Sequence, residues 1–175
     1  MKPDSADIYF TVASGAGYGM VFVLSILFLI NDLNYIFYAK IIISVLSFFL
    51  VFSGLLASTI HSVHLKRAWL ELSQWRVSWP SLEVLFAITT FVPLILFYFS
   101  WIILNSEILT KIFLIFSASL SIITVYCTSK IYSSIKTIPI WSNPFVSTLY
   151  ILNALVSGSL VLFLIFYYFK IESYF

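Results

Sequence analysis

Residues 8–30 read IYFTVASGAGYGMVFVLSILFLI, an apolar run without one charged side chain. A bilayer core about 30 Å thick takes about 20 apolar residues of helix to cross, whereas the apolar core of a secretory signal runs about 7–15 residues. The run therefore predicts a retained transmembrane helix. Stretches of the same kind recur at residues 36–60, 82–104, 108–131 and 146–169. Barrel strands would show segments of about ten residues with alternating polarity, and these runs do not alternate. The expected fold is an all-α integral membrane protein, a bundle of about five transmembrane helices forming a single membrane domain over residues 1–175.

Composition agrees. The chain is 62% hydrophobic and 9% charged, with 18 Phe and 11 Tyr in 175 residues, more apolar surface than a soluble domain of this size can bury. The formal charge of +2 is spread over short loops, so no nucleic-acid partner is expected. Cys127 stands alone in an apolar run, which excludes a disulfide framework, a thiolate zinc site and iron–sulfur ligation by this chain. The two histidines, His61 and His64, sit in one short stretch. Axial ligation of a membrane haem needs histidines facing each other across helices, and a His-x-x-His pair lacks a third ligand nearby, so neither haem nor metal is expected.

The connections at residues 31–35 and 105–107 are short, and consecutive helices should be antiparallel neighbours. The other side carries the longer segments 61–81 and 132–145, rich in Lys, Arg, Trp and Pro. Lys2, Lys66, Arg67, Arg76, Lys130 and Lys136 fall on the N-terminal side and Lys40, Lys111 and Lys170 on the other, a bias that favours a cytoplasmic N-terminus and equally suits a docking surface. Small residues four apart, Gly15 and Gly19, Gly54 and Ser58, Ala154 and Gly158, predict close helix contacts. The same glycines can leave room for a flat ligand. Trp69, Trp75, Trp79 and Trp101, with the many tyrosines, read as an interfacial aromatic belt.

The chemistry-bearing residues gather at one membrane level. His61 ends the second run and Glu83 opens the third, so the antiparallel pair brings a base and an acid to one face. Ionisable groups at membrane depth are costly and functional by default. Blander readings stand beside this: a Glu just after Pro80 complements a helix N-terminus without chemistry, and His61 and His64 suit an interfacial helix end.

Three ordered blocks carry a resemblance. The first reads Ser58-Thr59-Ile60-His61, then Arg67-Ala68-Trp69, Leu72-Ser73-Gln74-Trp75-Arg76, Ser78-Trp79, Ser81 and Glu83. The second is Ser14-Gly15-Ala16-Gly17-Tyr18-Gly19, and the third Ile131-Tyr132-Ser133-Ser134-Ile135 with Ile138-Pro139, Trp141 and Asn143-Pro144. In these the chain resembles the membrane-anchor subunit of the dimethyl sulfoxide reductase family (DmsC-like). The resemblance implies a multi-pass protein of the bacterial inner membrane that oxidises menaquinol in anaerobic electron transport. It would pass the electrons to a four-cluster, ferredoxin-like iron–sulfur subunit bound to a molybdopterin catalytic subunit.

The family's quinol-site histidine falls on His61 and its acidic partner on Glu83. Quinol oxidation releases two protons with two electrons; a His with a pKa of about 6.5 suits a quinol hydroxyl, and Glu83 suits the proton exit. Lys66, Arg67, Arg76 and Trp141 would meet the iron–sulfur partner. Departures from the family pattern lie at Ser62-Val63-His64-Leu65, where a Leu-Gly and a Pro are usual, at Leu82, where an Arg is common, and at Ile140, where a basic residue is usual. The family resembles an eight-helix protein, so this chain is expected to be a shortened anchor. The alternatives are a structural or degenerate anchor without quinol activity, favoured by the changes at His64 and Leu82, and, ranked last, a small membrane transporter with interrupted helices.

Overall fold

The computed structural model describes the backbone of residues 5–30, 37–61, 78–135 and 141–169; the side chains of residues 5–8, 10 and 57–61 lie outside that description. Five helices follow in order: α1 Ser5–Ile30, α2 Phe37–His61, α3 Trp79–Phe99, α4 Glu107–Ser133 and α5 Phe145–Tyr168. Among the described residues these five are each long and apolar enough to cross a membrane, and none forms a strand. The all-α membrane bundle read from the apolar runs is the observed fold.

Helix α3 starts at Trp79, ahead of the expected residue 82, because Pro80 falls in its first turn, where a missing N–H has no intrahelical partner to lose. The Leu82 amide closes that turn on the Ser78 carbonyl at 3.1 Å. Glu83 consequently lies past the first turn and is buried, so the reading of it as a first-turn complement to the helix dipole loses its geometric basis. At its far end α3 widens into a π turn, Ser100–Leu104. It stops at Asn105 with φ 46°, a left-handed conformation that Asn tolerates better than other side-chain-bearing residues.

Helix α1 is the hub. Some 61% of its span is buried, against 28–39% for the other four, and it packs on α2, α4 and α5, while α3 lies mainly on α4. Glycine permits this. A Cβ at Gly17 would stand 2.7 Å from Val51 Cγ2 and 2.9 Å from the Val51 amide nitrogen, and one at Gly54 would stand 2.7 Å from Ser14 Cβ. At the α1–α5 crossing a Cβ on Gly19 would overlap the Ala154 carbonyl, and one on Gly158 would overlap the backbone at Gly19 and Met20. The small pairs Gly15/Gly19 and Ala154/Gly158 therefore face one another, as the close-approach reading expects.

Beneath that crossing Met20, Leu24 and Phe28 of α1 pack with Leu94 and Phe97 of α3 and Leu162 of α5. The outward faces present Phe49, Ile95, Phe116 and Leu164, side chains that lipid solvates. Trp101 departs from the aromatic-belt expectation. It is 3% exposed, stacks on Phe97 at 5.5 Å and meets Phe28 edge-on at 6.0 Å, with Lys40 Nζ 5.6 Å from its ring centroid. The ring has apolar partners on the bundle side and a cation over its face, an attraction to the ring's π-electrons.

Between α2 and α3 a buried hydrogen bond joins Ser47 and Tyr98, flanked by the edge-on pair Phe48 and Phe91 at 5.4 Å. Tyr98→Phe should lower the midpoint of unfolding in mixed detergent by an amount equivalent to about 1 kcal/mol. An unshifted midpoint would show that the pair contributes nothing to stability.

Candidate functional site

The start of α1, the end of α2, the start of α3, the end of α4 and the start of α5 share one membrane face. Glu83 enters from α3, about 6 Å of helix rise past Trp79. It is only 6% exposed, and the Thr128 hydroxyl of α4 donates to its Oε1. Tyr18, Cys127 and Tyr150 lie within electrostatic reach of the same carboxyl, and the buried Tyr18 phenol is hydrogen-bonded to Thr124. A carboxyl so placed, among hydroxyls and with no cation among its described neighbours, is expensive to keep for packing alone.

Beside it lies a cleft of about 460 Å³ between α1 and α5, floored by α4. This falls in the 300–1,000 Å³ range typical of small-molecule sites. Thr11, Ser14 and Gly15 line it from α1, Val125 and Thr128 from α4, and Tyr150, Asn153 and Ser157 from α5. Gly15 contributes space: a Cβ there would meet only Ala154 Cβ, at 3.9 Å. One glycine pair thus does two jobs, with Gly19 letting the backbones touch and Gly15 leaving the gap.

Thr128 connects the cleft to the acid. It lines the cleft wall, and its single hydroxyl proton has two acceptors in range, the Glu83 carboxyl and the Thr124 carbonyl at 3.1 Å. Glu83 therefore stands one hydrogen bond behind the wall. An aromatic ladder reaches the cleft from the loop side, Trp141 edge-on to Tyr132 at 5.5 Å and Tyr132 stacked on Tyr150 at 5.3 Å.

His61 is the last residue of α2 on this face, and its side chain lies outside the described residues. Lys66, Arg67 and Arg76, the expected docking cations, fall in 62–77, also outside them. Trp141 is half-buried at the foot of the ladder. Of the expected site pair, only Glu83 has described surroundings.

Reasoning from sequence passed over Thr128, Tyr150 and Asn153. Asn153 left a signal, being the only Asn or Gln within the five apolar runs. It is exposed on the outward side of the cleft, and its amide has no hydrogen-bond partner among the described residues. A bare amide in hydrocarbon is unfavourable by several kcal/mol on an alkane scale, roughly 4–8, so the position favours a polar visitor. Thr128 left no signal, since α4 carries many buried Ser and Thr residues that simply donate to their own helix, among them Ser117, Ser121 and Thr124.

No curated protein and no solved structure matches the chain. The family model described as DMSO reductase anchor subunit (DmsC) matches residues 2–175. A bundle of apolar helices in which the buried acid Glu83 backs a cleft is consistent with that match, and the chain belongs to the DMSO reductase anchor subunit (DmsC) family.

Proposed function

We propose that this anchor subunit oxidises menaquinol in the cleft between α1 and α5 and hands the electrons to a ferredoxin-like iron–sulfur subunit docked on the loop face. That subunit in turn feeds a molybdopterin catalytic subunit in the bacterial inner membrane. The observation that carries the reading is the hydrogen bond from cleft-lining Thr128 to buried Glu83. An apolar slot, polar groups at its wall and an acid one bond behind it are what oxidation of a two-proton carrier requires.

In this scheme a quinol hydroxyl gives its proton toward Glu83 as Thr128 turns between its two acceptors. His61, ending α2 on the same face, serves the second hydroxyl. Two electrons leave for the partner's nearest cluster and two protons leave through the loop face, so quinol becomes quinone with charge balanced. Trp141, with Lys66, Arg67 and Arg76, forms the docking surface. The aromatic ladder from Trp141 to Tyr150 ties that surface mechanically to the cleft.

The test is binding of a fluorescent quinol-analogue inhibitor to membranes that hold the partner subunits. Saturable quenching is expected for the wild type and its loss for His61→Ala; a wild type without saturable quenching points instead to a purely structural anchor. Thr128→Val, nearly isosteric, should bind the inhibitor normally yet turn over quinol about tenfold more slowly, the equivalent of one lost hydrogen bond. An unchanged rate would remove Thr128 from the proton route.

A further inference from the structure

Helices α1 and α5 touch at Gly19 and Gly158 and separate on either side of that point. Toward the loop face the separation is the cleft. Toward the opposite face it is a second cavity, about 250 Å³, lined by Val23 and Leu27 of α1 and Leu160, Leu162 and Phe163 of α5. Leu160 borders both cavities, which lie on either side of it along α5.

The lining changes character along this path. On α5, Asn153, Ser157, Leu160 and Phe163 follow one another at spacings of three or four, which places them on one helix face. The first two are polar and the last two apolar. On α1, Gly15, Gly19, Val23 and Leu27 recur every fourth residue and turn from glycine to branched aliphatic. From Tyr150 to Phe163 the helix rises about 20 Å. The seam is thus polar and roomy at one end, narrower and apolar but for Ser159 at the other, and open to lipid along the side where Val156, Leu160 and Phe163 are more than half exposed.

We propose that this seam seats the isoprenoid tail of a membrane quinol whose ring occupies the cleft against Asn153. The inference rests on the quinol reading above and extends it to the ligand's orientation. The quinol enters sideways from the bilayer with its ring toward the loop face. The Asn153 amide, unpartnered among the described residues, accepts from or donates to a ring oxygen. The tail lies past Leu160 between Val23, Leu27 and Phe163. Leu27, which lines the second cavity and not the cleft, is a specificity-determining residue for long-tailed quinols.

The experiment compares two substrates in the intact complex held in lipid nanodiscs: menaquinol with a long prenyl tail, and menadiol, which has the ring alone. Leu27→Trp should raise KM for the long-tailed quinol about tenfold and leave menadiol oxidation at its wild-type rate. Asn153→Leu should slow both substrates alike, since both carry the ring. Equal effects of Leu27→Trp on the two quinols, or none on either, would overturn the proposal and leave the lower cavity to ordinary lipid chains. A wild-type complex that oxidises neither quinol would remove the underlying quinol reading and this inference together. Normal menadiol turnover in Leu27→Trp also reports that the variant is folded and assembled.

Discussion

In the proposed quinol route, Glu83→Gln should lower kcat for quinol-dependent reduction by about 100-fold or more, while the complex stays assembled and accepts electrons from an artificial dye that bypasses the membrane. The magnitude follows from proton accounting. If the acid behind Thr128 receives a proton in the rate-limiting step, an amide of the same shape cannot, and general-base contributions of this kind are typically about 100- to 10,000-fold. Gln keeps the volume and still offers an oxygen to the Thr128 hydroxyl, so packing between α3 and α4 is preserved. Glu83→Asp, which draws the carboxyl back by one methylene, should retain part of the rate. The decisive comparison is menaquinol-driven against dye-driven turnover in the same preparation. If Glu83→Gln keeps full menaquinol turnover, the carboxyl is a structural group and the proton leaves by another path.

The second large effect separates two glycines one helical turn apart. Gly19→Leu should prevent α1 and α5 from closing, because any side chain there meets the Ala154 carbonyl, a backbone atom that no rotamer change can move. Overpacking of a core costs about 1–3 kcal/mol even when side chains can yield, so a backbone collision should exceed the stability of the seam. The expected result is degraded or unassembled anchor, seen as loss of the partner subunits from the membrane fraction. Gly15→Leu should behave in the opposite way. Its Cβ meets only Ala154 Cβ, at an ordinary contact distance of 3.9 Å, so the protein should fold and bind its partners, but the cleft is filled and affinity for a quinol-analogue inhibitor should fall about 100-fold. Folding loss in both variants would make the glycine run a packing motif only; normal inhibitor affinity in Gly15→Leu would place the quinol elsewhere.

Much of the architecture was legible in the amino-acid order because lipid imposes a simple rule on length and polarity. The five runs appear as five helices, and α3 differs at its start only because Pro80 belongs to a first turn rather than to the loop before it. Glu83 stood out as the only acid within the runs. Its partner did not, since Thr128 lies 45 residues away and resembles its neighbours on α4 until the rotation of that helix is known. The same holds for Trp101, an interfacial aromatic by position and a core residue by orientation. Apolar runs state that a helix spans, and they say little about which way each face turns. The glycine run was ambiguous for a related reason: packing and cavity formation need the same residue, and only the facing helix determines which occurs at Gly15 and which at Gly19.

The hub position of α1 has a consequence for biogenesis. Of the described helices α1 enters the membrane first and α5 last, and the cleft lies between them. Until α4 and α5 arrive, Ser14, Tyr18 and the glycine face of α1 have only α2 to cover them, and no binding cleft exists. A ribosome-bound intermediate lacking α5 can span the bilayer several times over yet has no cleft. The cleft arises in a single step, when α5 docks against α1.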